Sequence, residues 1–347
     1  MPFLSNVLCS RVTMMDLKHL CRAFFVIAAV VLFVTHTQFG TTATQTSNEW
    51  QLVWSDEFDY NGLPDSKKWS YDVGGHGWGN KELQFYTEKR KENARVENGR
   101  LIIEARRDAW EGHEYTSARL VSKGKGDWTY GRFEVRAKLP SGLGTWPAIW
   151  MLPTQKDYGG WPSGGEIDVM EHVGFDPDVV HASVHTKSYH HTIGTQKTAK
   201  INVATARNEF NTYAVEWTPE EIRTFVNDKH YFTFKNERLT SRTADYKEWP
   251  FDKPFHLLLN IAVGGTWGGE KGVDQKIWPQ RMEVDYVRVY QAKPGRKEAQ
   301  KKLNSCSCRA RVEESSFYSL SSTARKRLNS QYTKAQMWRP ELSPGPK

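Results

Sequence analysis

Between Trp50 and Tyr290 apolar and polar positions alternate with a period of two. In RFEVRAKLP, Arg132 to Pro140, the apolar Phe133, Val135, Ala137 and Leu139 interleave with Arg132, Glu134, Arg136 and Lys138. A strand with one buried face and one wet face has this pattern. RLIIEARRD, EIRTFVNDKHYFTF, HLLLNIAV and EVDYVRVY are similar short runs bounded by Gly, Pro, Asn or Asp. Asn227-Asp228, between two such runs, predicts a hairpin tip. No stretch sustains a 3.6-residue period with caps. Many short strands without helices predict an all-β protein of two packed antiparallel sheets, a β-sandwich.

The ends break this pattern. Residues 23–34, AFFVIAAVVLFV, are an unbroken apolar run preceded by Arg11, Lys18 and Arg22. Twelve residues suit the core of a signal peptide better than a membrane span, which needs about 20. Residues 1–45 are therefore expected to be a leader cleaved near Ala43 and the protein to be secreted; an uncleaved membrane anchor is the alternative. Residues 292–347 are polar, basic and poor in branched aliphatics, which predicts a disordered tail. A basic segment adhering to anionic polysaccharide is the other reading. The folded unit is expected over 48–291.

Charge and cysteine follow the same partition. The formal net charge is +8, but residues 291–347 carry thirteen Lys/Arg against four Glu, and residues 48–290 hold thirty-two bases against thirty-five acids. A folded nucleic-acid binder carries its positive field on the folded surface, so nucleic acid is not an expected partner. Cys9, Cys21, Cys306 and Cys308 all lie in the ends. Thiolate catalysis, a zinc–cysteine centre and a disulfide framework are excluded from the body. Phosphate-loop, dinucleotide and nucleophile-elbow motifs are missing, so nucleotide and serine-hydrolase readings lack support.

Candidate chemistry concentrates in SGGEIDVMEHVG, Ser163 to Gly174, where Glu166, Asp168 and Glu171 fall within six residues. On a strand Glu166 and Asp168 share a face, while Glu171, five steps on, would face the other way. One inserted residue, most simply Met170 as a β-bulge, returns Glu171 to the first face. Four regular steps at about 3.4 Å separate the outer backbones by roughly 13 Å. Inward-leaning side chains would bring the carboxyls to roughly 5–6 Å, close to the retaining-glycosidase spacing and short of the inverting one. A wet outer face or a calcium site would also gather acids. Three like charges on one face repel, however, and flanking Trp-rich segments offer aromatic faces to sugar rings. Trp78, Trp146, Trp161 and Trp267 sit among Gly and Pro and are read as cleft rather than core residues. His190-His191 has no companion ligands and is assigned to a solvated loop.

With these residues in hand, the chain resembles glycoside hydrolase family 16, in particular its laminarinase branch of endo-β-1,3-glucanases. WSDEFD, GWGNKELQFYT, YGRFEVRAKLP, GTWPAIWMLP, GEIDVMEHVG, SVHT, PFHLLLNIAVGG and VDYVRVY occur in the family order between Val53 and Tyr290. The E-x-D-x-x-E form is similar to the laminarinase version rather than the E-x-D-x-E of lichenases. The resemblance implies a β-jelly-roll sandwich with a concave cleft and a β-1,3-glucan substrate. It implies Glu166 as nucleophile, Glu171 as general acid/base and Asp168 as the residue orienting Glu166. The charge of Glu166 would raise the pKa of Glu171. Asn80, Arg119, Trp146, Trp150, His185 and Trp267 match positions near the scissile sugar. Glu57, Gly99 and Asp285 match a structural calcium site. Catalysis would need no cofactor, and the protein would be a monomer. Two other readings on the same fold are a non-catalytic β-1,3-glucan recognition lectin and a mixed-linkage β-1,3(4)-glucanase.

Overall fold

The computed structural model describes residues 50–293. The expectations for the leader, the four cysteines and the basic tail lie outside them, apart from the tail's first two residues. Two eight-stranded antiparallel sheets face each other, and no α-helix occurs among the described residues. The first sheet runs Lys229–Lys235, Glu221–Val226, Asn211–Trp217, Gly131–Lys138, Gln280–Ala292, Arg100–Ala105 and Ala94–Glu97, with Trp50–Asp56 also on Gln280–Ala292. The second runs Lys197–Asn202, Val179–His185, Glu166–Glu171, Thr145–Pro153, Phe255–Val263, Arg119–Val121 and Ser70–Tyr71, with Asp127–Trp128 beside Phe255–Val263. Among the described residues no helix is long and apolar enough to cross a membrane.

Gly131–Lys138 alternates buried and half-buried along its whole length, as its sequence predicts. Its outer face is not simply wet. Arg132 there meets Glu134 at 2.6 Å and Glu216 at 3.0 Å, and Lys138 meets Glu283 at 2.7 Å. Asn227 and Asp228, with φ of 48° and 63°, form the expected hairpin tip between Glu221–Val226 and Lys229–Lys235. Two consecutive positive φ values match the right-handed strand twist, and Asn and Asp tolerate them.

Phe255–Val263 is buried at every position. Phe255, Leu257, Leu259, Ile261 and Val263 pack into the core between the sheets, so the alternate residues, Asn260 among them, face the opposite side of the second sheet. That opposite side is a solvent-open cleft of about 690 Å³. The core holds one face of the sheet rigid, and the other is free to carry polar groups.

Candidate active site

Glu166, Asp168 and Glu171 all line the cleft, while Ile167, Val169 and Met170 join the core. Two consecutive residues pointing inward mark a bulge, and the register confirms it. Against Thr145–Pro153, Met170 pairs with Ile149 and Asp168 with Trp150, leaving Val169 unpaired. Against Val179–His185, Asp168 pairs with Ser183 and Glu171 with His181. The expected irregularity is present, but the extra residue is Val169 rather than Met170. Met170 keeps its ladder position opposite Ile149, and the side chains of both Val169 and Met170 fill the core.

Gly165 leads into this strand with φ of +89°, and a Cβ there would lie 2.7 Å from Pro250 Cγ. The chain can therefore enter the sheet only as glycine, tight against the 250–255 segment. Gly268 acts similarly at the rim, where a Cβ would meet that of Trp146 at 2.7 Å. The loop carrying Trp267 thereby lies down on Trp146, and the two rings meet edge to face at 5.5 Å.

Burial first, then like charge, governs the acids. Asp168, nearly inaccessible to solvent, is pushed up to about 8 by desolvation, against a hydrogen bond with Glu166 that lowers it. Glu171 is pushed up to about 8 by desolvation and then by the charge of Asp168; the Trp146 hydrogen bond and His185 oppose this. Glu166 is raised by desolvation and then by Asp168. The upward direction for Glu171 agrees with expectation, but its main causes are burial and Asp168, not Glu166. His185 Nε2 lies 3.3 Å from Asp168 Oδ2 and 3.8 Å from Glu166 Oε1.

On one side of the acids stand Trp146, Trp150, Asn260 and Arg119; on the other stand His181, His185 and Thr198. The cleft therefore continues past the acids in both directions. The Arg119 guanidinium is sandwiched between Trp78 at 4.7 Å and Trp150 at 4.6 Å. All six residues matched by resemblance, Asn80, Arg119, Trp146, Trp150, His185 and Trp267, line this one cleft, as do Trp78 and Trp161. His191 is exposed yet faces the cleft, its ring 5.1 Å from Trp161 and 5.2 Å from His185. Assigning it to a solvated loop was half right; the short turn His191–Ile193 brings it to the site, a long-range placement with no local signal.

Sequence reasoning also passed over His181, Asn260 and Glu82, which line the cleft too. His181 alternates with His185 through Ser183 on one strand face, and Asn260 is the polar interruption in HLLLNIAV; both signals were readable. The suggested calcium residues are differently engaged. Glu57 accepts Arg288 Nε at 3.0 Å and Nη2 at 2.8 Å, which holds its pKa below the usual range. Asp285 pairs with Arg136, and Gly99 sits at φ +72° in the turn between Ala94–Glu97 and Arg100–Ala105. Both carboxylates are thus each already paired with an arginine.

A floor of facing carboxyls in an open trough on a β-sandwich defines a glycoside hydrolase. The chain belongs to family 16 of the glycosyl hydrolases, whose sequence profile matches residues 81–288. It is 61% identical over 279 residues to a beta-glucanase of Rhodothermus marinus, covering 80% of this chain and 97% of that protein. The crystal structure of the laminarinase from Rhodothermus marinus superposes with a TM-score of 0.70 at 67% identity, covering 71% of this chain and 98% of that one. A glucan endo-1,3-beta-glucosidase of Cryptopygus antarcticus is 37% identical over 259 residues, 70% of this chain and 92% of that protein. The jelly-roll sandwich expected from the motifs is thus the fold of its relatives.

Proposed function

We propose that the protein is an endo-acting β-1,3-glucanase that cleaves laminarin-like glucan with retention of configuration. One observation carries the reading: the bulge at Val169 turns Glu171 onto the face that already holds Glu166 and Asp168, in a solvent-open cleft lined by strands on both sides of the acids. A chain threaded through such a cleft is cut internally. The names of the relatives, beta-glucanase, laminarinase and glucan endo-1,3-beta-glucosidase, supply the substrate class.

In this reading Glu166 is the nucleophile. Asp168, raised to about 8 by burial and hydrogen-bonded with Glu166, holds the Glu166 carboxyl in orientation for attack. Glu166 attacks the anomeric carbon while Glu171, also protonated near neutral pH, passes its proton to the departing glycosidic oxygen. The product of this step is a glycosyl ester with Glu166 neutralised. Glu171, now a carboxylate, takes a proton from water, and the resulting nucleophile releases the sugar with its original anomeric configuration. Carboxyls and water supply every atom required, so no cofactor enters. Asn80, Arg119, Trp146, Trp150, His185 and Trp267 would hold the sugars flanking the cleaved bond.

The apolar segment at 23–34 with its basic lead supports export, with residues 48–291 as a monomeric catalytic unit and the tail beyond it. Laminarin digestion tests the central claim. Wild type should release reducing ends as oligosaccharides of mixed length, and Glu166→Gln should not, while still binding the polymer. Binding without release by the wild type would instead indicate a recognition lectin.

A further inference from the structure

Glu82 lies half-buried on the cleft wall, surrounded by donors. Its Oε1 accepts Asn80 Nδ2 at 3.2 Å; its Oε2 accepts Gln84 Nε2 at 2.7 Å and the Tyr86 hydroxyl at 3.3 Å. The direction of the last two bonds is imposed from outside. The Val263 backbone N–H can only donate, and it donates to Gln84 Oε1 at 2.7 Å, so the Gln84 amino group must face Glu82. The Trp150 indole N–H also only donates, and it reaches Asn260 Oδ1 at 2.7 Å. Asn260 Nδ2 is therefore turned to the Tyr86 oxygen at 3.0 Å, and Tyr86 passes its own hydrogen on to Glu82. Oε2 thus receives two donors that cannot be reversed, and Oε1 is left for Asn80.

We propose that the carboxylate of Glu82 is a positioning residue that fixes which end of the Asn80 amide meets the substrate. A carboxylate only accepts, so it takes the Asn80 amino group and leaves Asn80 Oδ1 as the acceptor offered to a sugar hydroxyl in the cleft. Through Tyr86 and Asn260 the same group anchors the Trp150 indole, whose ring stacks on Arg119. One charge buried under the wall sets the polarity and orientation of that side of the cleft. This deepens the glucanase reading and rests on it for the identity of the ligand.

The test uses a swap that conserves shape. In Glu82→Gln the new amide must keep its oxygen toward Gln84 and Tyr86, so its amino group faces residue 80. Asn80 then flips and presents an amino group to the cleft in place of its oxygen. Adding Asn80→Asp restores an acceptor on both sides, whereas Asn80→Asp alone sets two carboxylates against each other. Binding of laminarihexaose is measured by calorimetry on full-length proteins that all carry Glu166→Gln, so that nothing turns over, with thermal melting in parallel. Glu82→Gln is expected to weaken binding about 10-fold, the effect of one lost hydrogen bond. Adding Asn80→Asp should recover most of it, and Asn80→Asp alone should bind worse than the double variant. A structural role would predict that the two changes add; recovery is the mark of positioning. If Glu82→Gln does not fold, the comparison of Asn80→Asp with the double variant decides, and the double must bind tighter. Binding by Glu82→Gln within about twofold of the parent, or no recovery in the double, overturns this assignment. A parent that binds no laminarihexaose overturns the glucanase reading, and this inference with it.

Discussion

Trp146 donates its indole N–H to Glu171 Oε1 at 3.1 Å, and this contact links the aromatic rim to the proton chemistry on the floor. The bond stabilises the charged carboxylate, so it lowers the Glu171 pKa against the burial that pushes it up to about 8. Trp146→Phe keeps a ring on the rim and removes the donor. Glu171 should then hold its proton to a higher pH, and the alkaline limb of the kcat/KM profile on laminarin, expected near pH 8 in the wild type, should move upward. As a weaker acid toward the departing oxygen in the first step, Glu171 should also slow turnover, about 10-fold. An alkaline limb unmoved by Trp146→Phe would separate Glu171 from that limb.

Grouped acids lower stability in a pH window that can be assigned. Glu166, Asp168 and Glu171 all have folded pKa values above those of an unfolded chain. Between about pH 4 and pH 8 the folded state therefore binds more protons than the unfolded state, and stability falls as pH rises. The contribution of Asp168 and Glu171 is complete below the unfolded values near 4 and is lost by the time pH passes about 8. Asp168→Asn removes one such group, so its melting temperature should exceed that of the wild type at pH 8.5, by about 2–4 °C or more. At pH 4 the difference should vanish. Melting curves at both values check the sign: a gain at pH 4 that disappears at pH 8.5 would reverse it.

Period-two patterning predicted the sandwich because each strand needs one apolar face, as Gly131–Lys138 shows. The three acids were legible for the same reason: Ile167, Val169 and Met170 name the core face, and the acids are what remain. Which of Val169 and Met170 is unpaired was not legible, since both are apolar and only the register with Ile149 and Trp150 separates them. His191 and Glu82 escaped for another reason. Each is placed by partners distant in sequence, Trp161 for one and, through Gln84 and Tyr86, Val263 and Asn260 for the other. Local pattern carries no record of such contacts.

Arg119 tests how much of the wall acts through planarity. Its guanidinium lies between the rings of Trp78 and Trp150, with Asp72 Oδ2 3.0 Å from its Nε. Lysine keeps the charge but cannot stack flat on two indoles. Each stack is worth about 0.5–2 kcal/mol, so Arg119→Lys should raise KM on laminari-oligosaccharides about 5- to 30-fold, with a smaller change in kcat. The tryptophan emission spectrum should shift as the two rings lose their spacer. Unchanged KM and emission would show that charge alone matters there.

The bulge makes a sharper test than any point substitution. Val169 and Met170 together take one step on the face toward the neighbouring strands. Removing Val169 leaves a regular run in which the three acids occupy alternate positions, all still on the cleft face. The outer pair also keeps its separation of about four strand steps. Deletion of Val169 should therefore retain laminarin hydrolysis, reduced but measurable, and should lose stability through the missing core side chain, about 1–4 kcal/mol. Inserting an alanine after Asp168 puts Glu171 six positions from Glu166, on the same face of a regular strand but about 7 Å further along it than at present, and should abolish activity, because the acid could no longer reach the oxygen it protonates. Reducing-end assays on both variants, with melting to verify folding, check this. An inactive but folded deletion variant would show that the irregular backbone itself, and not merely the face it selects, sets the alignment of the two glutamates.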